Sequence, residues 1–331
     1  MTPTLALWAS LALAQTADEA PADPTEASVE SEATEASEAD VESEAADEAV
    51  TEAPEPAPAP APRLPGEPAP GTKHYDLELM YAEEKYTAGL EEARKRLAAN
   101  PTDVDLHWHV ARFMFEYAEA FEKDKAAFDK LAWYEEMLAV SEKGLALDPD
   151  NTHLMFARGI ANGRLGTTRG VLASLWGAKD LERDWLHVAN SGFVYSSIGG
   201  NEMLPCDAYL TLGIFYRLVP EWWIVQVLAG TRGDLDKSLE MTTKAVQCSP
   251  DRIGVAKEQA VTQLCIGTKR KDEAMLAKGK QSVERYMRMT PTSQNDYIDI
   301  EHGNKLLADP SIACEYSRDG QQELDQSKLE R

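Results

Sequence analysis

Residues 209–250 read YLTLGIFYRLVPEWWIVQVLAGTRGDLDKSLEMTTKAVQCSP. Both ends of this stretch space apolar residues by three and four, the period of an amphipathic helix. Small residues recur at fixed places: Gly213 in the first half, and Ser238, Thr242 and Ala245 in the second. Small side chains let two helices approach closely. Pro250 then stops the second helix, because it has no N–H to donate and its ring clashes with the preceding turn. The same punctuation recurs outward along the chain, at RLAANP ending on Pro101, LALDP ending on Pro149 and YMRMTP ending on Pro291. The segments 77–101, 104–121 and 129–149 share the helical period, and strand-like runs such as Gly192–Ile198 are isolated. These patterns predict an all-α fold.

The small-residue register resembles the tetratricopeptide repeat, a 34-residue helix pair with a Leu-Gly-x-x-Tyr first helix and a second helix ending at Pro. Leu212, Gly213 and Tyr216 match the first helix, and Ser238, Thr242, Ala245 and Pro250 the second. Met137, Ser141, Gly144 and Pro149 keep those offsets, with Gly159 next in line, as do Gly89, Ala93 and Pro101. A single pair cannot bury its apolar face, so the resemblance implies an α-solenoid of stacked antiparallel pairs. Between Tyr216 and Ser238 lie about 13 residues more than the regular repeat holds; they form an inserted aromatic segment, PEWWIVQVLAG. Arg158, where the repeat prefers Leu, and the excursion 166–205 depart from the pattern.

Two subgroups share such departures. DLHWHVARF at 105–113 resembles the run opening the helical domain of regulator-of-microtubule-dynamics proteins, and 209–246 resembles their Leu-Gly helix, aromatic insertion and second repeat helix. GGNEMLPCDAYLTLGIFYRLVP, residues 199–220, is similar to the T component of bacterial TRAP transport systems. Both resemblances imply a binding or scaffolding solenoid without catalysis.

The rest of the chain frames this domain. It has 331 residues and a formal net charge of −24. That balance argues against a nucleic-acid binder, which needs a basic face. Residues 15–72 hold 16 Asp/Glu against one basic residue, Arg63, and ten of the 18 prolines, with no aromatic. Such composition buries too little to offset ordering entropy, and reads as a disordered Ala/Glu/Pro-rich linker. Residues 5–14, LALWASLALA, are too short to span a bilayer and fit an export signal cleaved after Ala12-Leu13-Ala14. The expected organisation is therefore a signal peptide at 1–14, a linker at 15–72, a helical domain at 73–310 and a flexible tail at 311–331. A periplasmic or secreted protein without a transmembrane segment follows.

Candidate chemistry is sparse. No GxSxG, HExxH, P-loop or GxGxxG motif is present, so neither catalysis nor a cofactor is expected. His107 and His109 stand two apart on one helix and point to different faces; with no metal-like spacing elsewhere, no metal is expected. The four cysteines, at 206, 248, 265 and 314, fit no zinc pattern. Cys206 opens one helix and Cys248 closes its antiparallel neighbour, which favours a Cys206–Cys248 disulfide in an oxidising compartment. Cys265 and Cys314 are the remaining pair. Mapping the repeat's groove positions selects Trp108, Arg112, Glu116, Arg164 and Arg217, types that dominate contact energies. The expected function is a scaffold holding a protein or peptide partner in its concave groove, with a homo-oligomer possible. The alternative is an accessory of a solute-uptake system whose arginines meet a small organic acid. Trp222 and Trp223 are candidates for a partner patch.

Overall fold

The computed structural model describes residues 63–120 and 128–325. The export signal, and the linker as far as residue 62, lie outside the described residues. Twelve α-helices are described: α1 (Tyr75–Ala82), α2 (Tyr86–Ala99), α3 (Val104–Ala120), α4 (Lys130–Leu147), α5 (Thr152–Arg169), α6 (Ala178–Asn190), α7 (Cys206–Leu218), α8 (Trp223–Ala229), α9 (Leu235–Cys248), α10 (Ile253–Arg270), α11 (Glu273–Tyr286) and α12 (Gln294–Ala308). Side-chain caps define many of the starts. Asp129, Asn151, Asp234 and Asp272 each accept from a backbone N–H of the first turn, and Ser293 with Asp296 forms a capping box on α12. The ends of α2, α4 and α9 fall two residues before Pro101, Pro149 and Pro250. Helix α11 ends earlier than Pro291, at Tyr286, where Arg288 and Met289 donate to carbonyls three residues back and tighten the chain into a turn.

Apart from α8, consecutive helices pack on one another, and alternate helices also touch. Helix α3 contacts α5, α5 contacts α7, α7 contacts α10, and α10 contacts α12. These form the inner layer, while α2, α4, α9 and α11 pack outside them. The predicted small positions are where the layers meet. A methyl on Gly213 would stand 2.4 Å from Thr242 Cγ2, and Ser238 Oγ donates to Gly213 O at 2.7 Å. The fold is an α-solenoid of stacked helix pairs. It departs from an open spiral in one respect: α12 returns to contact α3, so the inner layer closes on itself.

The excursion 166–205 forms a 3-10 turn (Leu172–Gly177), helix α6 and a two-stranded antiparallel ribbon, β1 (Tyr195–Ser196) with β2 (Met203–Leu204). Arg158, the off-pattern residue of α5, reaches the α6 carboxylate of Asp184 at 2.7 Å. The insertion forms α8, which packs on the 3-10 turn.

Two boundaries move. The expected linker ran to residue 72, yet 63–72 make turns against the ribbon. Ser196 Oγ donates to Pro65 O at 2.8 Å, and Gly66, at φ +74°, lies so close to the Val194 and Tyr195 backbone that a methyl could not fit. The tail expected to be flexible from 311 is ordered as far as 325. A 3-10 turn (Pro310–Cys314) leads into a hairpin, β3 (Tyr316–Ser317) with β4 (Gly320–Gln321), and Tyr316 and Gln322 are buried. The polarity of YSRDGQQ suggests a solvated segment; the reason it orders is that its polar groups find partners on the inner helices.

Candidate functional site

All five groove candidates lie on the inner layer: Trp108, Arg112 and Glu116 on α3, Arg164 on α5 and Arg217 on α7. The repeat register predicts that they are open to a ligand. Instead they already hold groups of this chain. Arg112, 4% exposed, pairs with Glu78 at 2.8 Å and Glu202 at 2.7 Å and lies over the Tyr81 ring at 3.4 Å. Trp108 is buried and stacks on His153 at 3.9 Å. Glu116 accepts from Tyr81 Oη at 2.7 Å and from Asn295 Nδ2 at 3.4 Å.

The other two arginines bind the C-terminal segment. Arg217, also 4% exposed, donates to the carbonyls of Ala313 at 3.0 Å and Tyr316 at 2.7 Å, and pairs with Glu258 at 2.9 Å. Arg164 meets Glu119 at 2.7 Å and Asp319 at 3.1 Å. Asp319, at the tip of the hairpin, also receives Lys130 at 2.8 Å and Thr167 Oγ1 at 2.7 Å. Burial works against its charge, but Arg164, Lys130 and Thr167 outweigh it and hold the carboxyl below the usual range. Gln322 completes the clasp: it donates to Thr167 O at 3.1 Å and accepts from Val171 N at 3.3 Å. Arg318 lies 3.5 Å from both Glu119 and Asp299. A 3-10 turn and a short hairpin thus occupy part of the groove, held through main-chain carbonyls and one carboxylate.

Beside the hairpin, the inner helices enclose a cavity of about 630 Å³. One wall is apolar, with Leu175, Leu181, Trp185, Phe215, Leu218 and Val219 from a single core cluster. The opposite wall carries the ion network just described, together with Arg252 on Asp207 at 2.6 Å and Lys257 on Asp299 at 2.9 Å. Arg169, which also lines it, pairs with Glu135. Burial raises the Glu202 carboxyl to about 7 despite Arg112, and it raises Glu116 too.

Sequence spacing gives the histidines no role beyond ordinary polar positions. His107 and His109 are both buried, and His107 bonds Val140 O and Pro101 O. Burial depresses His109 well below the usual imidazole range, and His153 to about 3, with Arg112 adding to both. Among the described residues, His74, Asp103 and Asp105 converge closely enough for a metal, but Lys73 Nζ already sits on the two carboxylates at 2.6 and 2.9 Å.

Cys206 and Cys248 are bonded, with Cα atoms 5.5 Å apart, and Cys265 is bonded to Cys314. The second bond anchors the hairpin's entry to α10. The inserted aromatics divide. Trp222 packs partly against the core, while Trp223 is 69% exposed beside Val227 and Leu228. Trp176, 76% exposed, belongs to the 3-10 turn that α8 packs on; sequence reasoning missed it, because the turn and α8 are far apart along the chain. No helix among the described residues is long and apolar enough to cross a membrane.

No family model and no curated protein matches the sequence. Among solved structures, a thermophilic tetratricopeptide protein of Thermus thermophilus, TTC0263, is similar at 17% identity and TM-score 0.43, covering 70% of this chain and 97% of its own. MamA from Desulfovibrio magneticus RS-1 is similar at 13% identity and TM-score 0.37, covering 65% and 92%. YrrB, described as a tetratricopeptide protein with an unusual peptide-binding site, is similar at 12% and 0.33, covering 68% and 89%.

Proposed function

We propose that this chain is a non-catalytic binding protein of the bacterial cell envelope whose inner surface holds a peptide segment of a partner protein. One observation carries the reading. The inner arginines already grip a peptide segment, the chain's own residues 313–322, by the carbonyls of Ala313 and Tyr316 and the Asp319 carboxylate. Main-chain recognition of this kind accepts many sequences, while the Lys130, Arg164 and Thr167 pocket selects an acidic side chain. A partner strand of similar chemistry would displace the hairpin or extend beside it. The envelope location rests on the export-like N-terminus and on four cysteines that meet in two pairs, which suits an oxidising compartment.

The cavity favours the alternative of a solute-uptake accessory, but its charges do not suit an organic acid. The arginines that would meet such a ligand each carry a carboxylate of this chain. The test of the peptide reading uses a chain ending at Asp309, with Cys265→Ser, and a fluorescent peptide covering residues 310–323. Once circular dichroism shows the truncated chain to be helical, binding should be saturable. Arg164→Ala should weaken it at least tenfold, and Lys95→Ala should leave it unchanged. Absence of binding, or equal loss at Arg164 and Lys95, overturns the reading.

A further inference from the structure

The cavity has a charge asymmetry that the peptide reading does not use. Every arginine and lysine lining it has a carboxylate of this chain within ion-pair distance. The reverse does not hold. Glu119, Glu202, Asp207, Glu258 and Asp299 are paired with cations. Asp296 faces the start of α12 and accepts from the backbone of Thr292 and Ser293 at 2.8 and 3.0 Å. Glu116 alone of the lining carboxylates has neither: its partners are the Tyr81 hydroxyl and the Asn295 amide, and it forms no ion pair among the described residues.

A half-buried carboxylate with no cation at ion-pair distance takes up a proton or recruits a cation more readily than one in open water. The upward push on the Glu116 carboxyl agrees with that tendency. The surroundings suit an organic cation better than a hydrated metal ion. Tyr86 and Phe115 line the cavity with Glu116, while the Tyr81 ring, whose hydroxyl donates to Glu116, already carries the Arg112 guanidinium at 3.4 Å. Aromatic faces attract ammonium groups by their quadrupole. Metal ions of the hard class prefer several oxygens, and only one carboxylate is unpaired here. Elsewhere the cavity offers the wall of Leu181, Trp185, Phe215 and Leu218 to an apolar body.

We propose that this cavity binds a small organic amine, with its ammonium on Glu116 beside Tyr86 and Phe115 and its aliphatic or aryl body against the wall of α6 and α7. The ligand is a cation, opposite in sign to the organic acid suggested by the arginine content of the sequence. The site is independent of the peptide reading, because residues 310–325 stay in place and Ser317 and Arg318 form part of the wall.

The experiment is calorimetric titration of the full chain with three probes of similar body: 2-phenylethylamine, 3-phenylpropanoate and 3-phenylpropanol. The amine should bind at least tenfold more tightly than the other two. Glu116→Gln removes the charge and keeps one acceptor oxygen, enough for Tyr81, while its NH2 replaces the oxygen that accepts from Asn295. It should bring the amine down to the level of the alcohol and leave the alcohol unchanged. Should that variant melt early, the wild-type chain still decides: acidification should weaken the amine as Glu116 protonates, without weakening the alcohol. Equal binding of the acid, amine binding that survives both Glu116→Gln and acidification, or no binding of the amine at millimolar concentration overturns the proposal.

Discussion

Replacing Asp319 by Asn tests whether the hairpin is anchored as described. The carboxylate accepts from Lys130 at 2.8 Å, Arg164 at 3.1 Å and Thr167 at 2.7 Å. Asn keeps the volume and one acceptor oxygen but loses the charge. Arg164 keeps Glu119 at 2.7 Å, whereas Lys130 keeps no acidic partner among the described residues. Breaking a fully buried pair costs about 3–5 kcal/mol. Arg164 retains its other partner, and Asn still accepts one bond, so the loss should be nearer about 2 kcal/mol, the scale of one hydrogen bond to a charged group. Urea unfolding followed by circular dichroism should show that difference at pH 7. The pH dependence has a defined sign. The folded pKa of Asp319 lies below its unfolded value, so its contribution is fully present above the unfolded pKa, about 3.9. It is lost as pH falls through the folded value. The gap between wild type and variant should therefore close below about pH 4. Hydrogen exchange of amides 315–322 separates local release of the hairpin from global unfolding, and protection there should fall in the variant even at pH 7. A gap under about 0.5 kcal/mol at pH 7 with hairpin protection unchanged would refute the anchoring, since it is smaller than one such bond.

Three further outcomes follow. His109 and His153 are buried with lowered pKa values, so the unfolded chain takes up protons first as pH falls below about 6.5. Stability should drop by about 2 kcal/mol per imidazole by pH 5, and His153→Phe, which keeps a ring on Trp108, should flatten that decline in urea titrations. Gly213→Ala places a methyl 2.4 Å from Thr242 Cγ2 and should cost about 1–3 kcal/mol in thermal unfolding; a neutral result would mean that α7 and α9 can slide apart. The double change Cys206→Ser and Cys248→Ser removes a link across 42 positions and should cost about 4 kcal/mol on the chain-entropy model, with no such difference between the proteins once reductant is present.

What was legible in the sequence follows from local periodicity. Helical spacing, proline stops and the small residues at 89, 144, 213, 238 and 242 act within one helix pair, so the pairs could be read from one stretch at a time. The pair α10 and α11 does not stand out in the same way, although it packs as closely. Gly267 lies against the Leu276 backbone and Gly279 against that of Leu264, but these glycines sit where no Leu-Gly-x-x-Tyr run marks the first helix. The ordering of 63–72 and 310–325 was invisible for another reason. Polar, Pro-rich or Gly-containing segments look solvated until their partners are known, and those partners lie more than a hundred positions away: Pro65 on Ser196, Asp319 on Arg164.

The groove candidates show where pattern reading stops. Register placed Trp108, Arg112, Glu116, Arg164 and Arg217 on the inner layer by type and offset, and that is where they lie. Occupancy is not a property of register. In an open solenoid an inner arginine faces solvent and awaits a ligand; here α12 returns to α3 and the hairpin enters, so Arg112 and Arg217 lose their water and must be paired within the chain. Pairing them reverses the meaning of the site. The described network holds Arg112, Lys130, Arg164, Arg217, Arg252, Lys257 and Arg318 against Glu78, Glu119, Glu202, Asp207, Glu258, Asp299 and Asp319, and Glu116 stands outside these ion pairs. An arginine-rich lining can therefore still leave a carboxylate, Glu116, without an ion pair, and what the cavity offers a ligand depends on the closure of the ring rather than on the count of arginines.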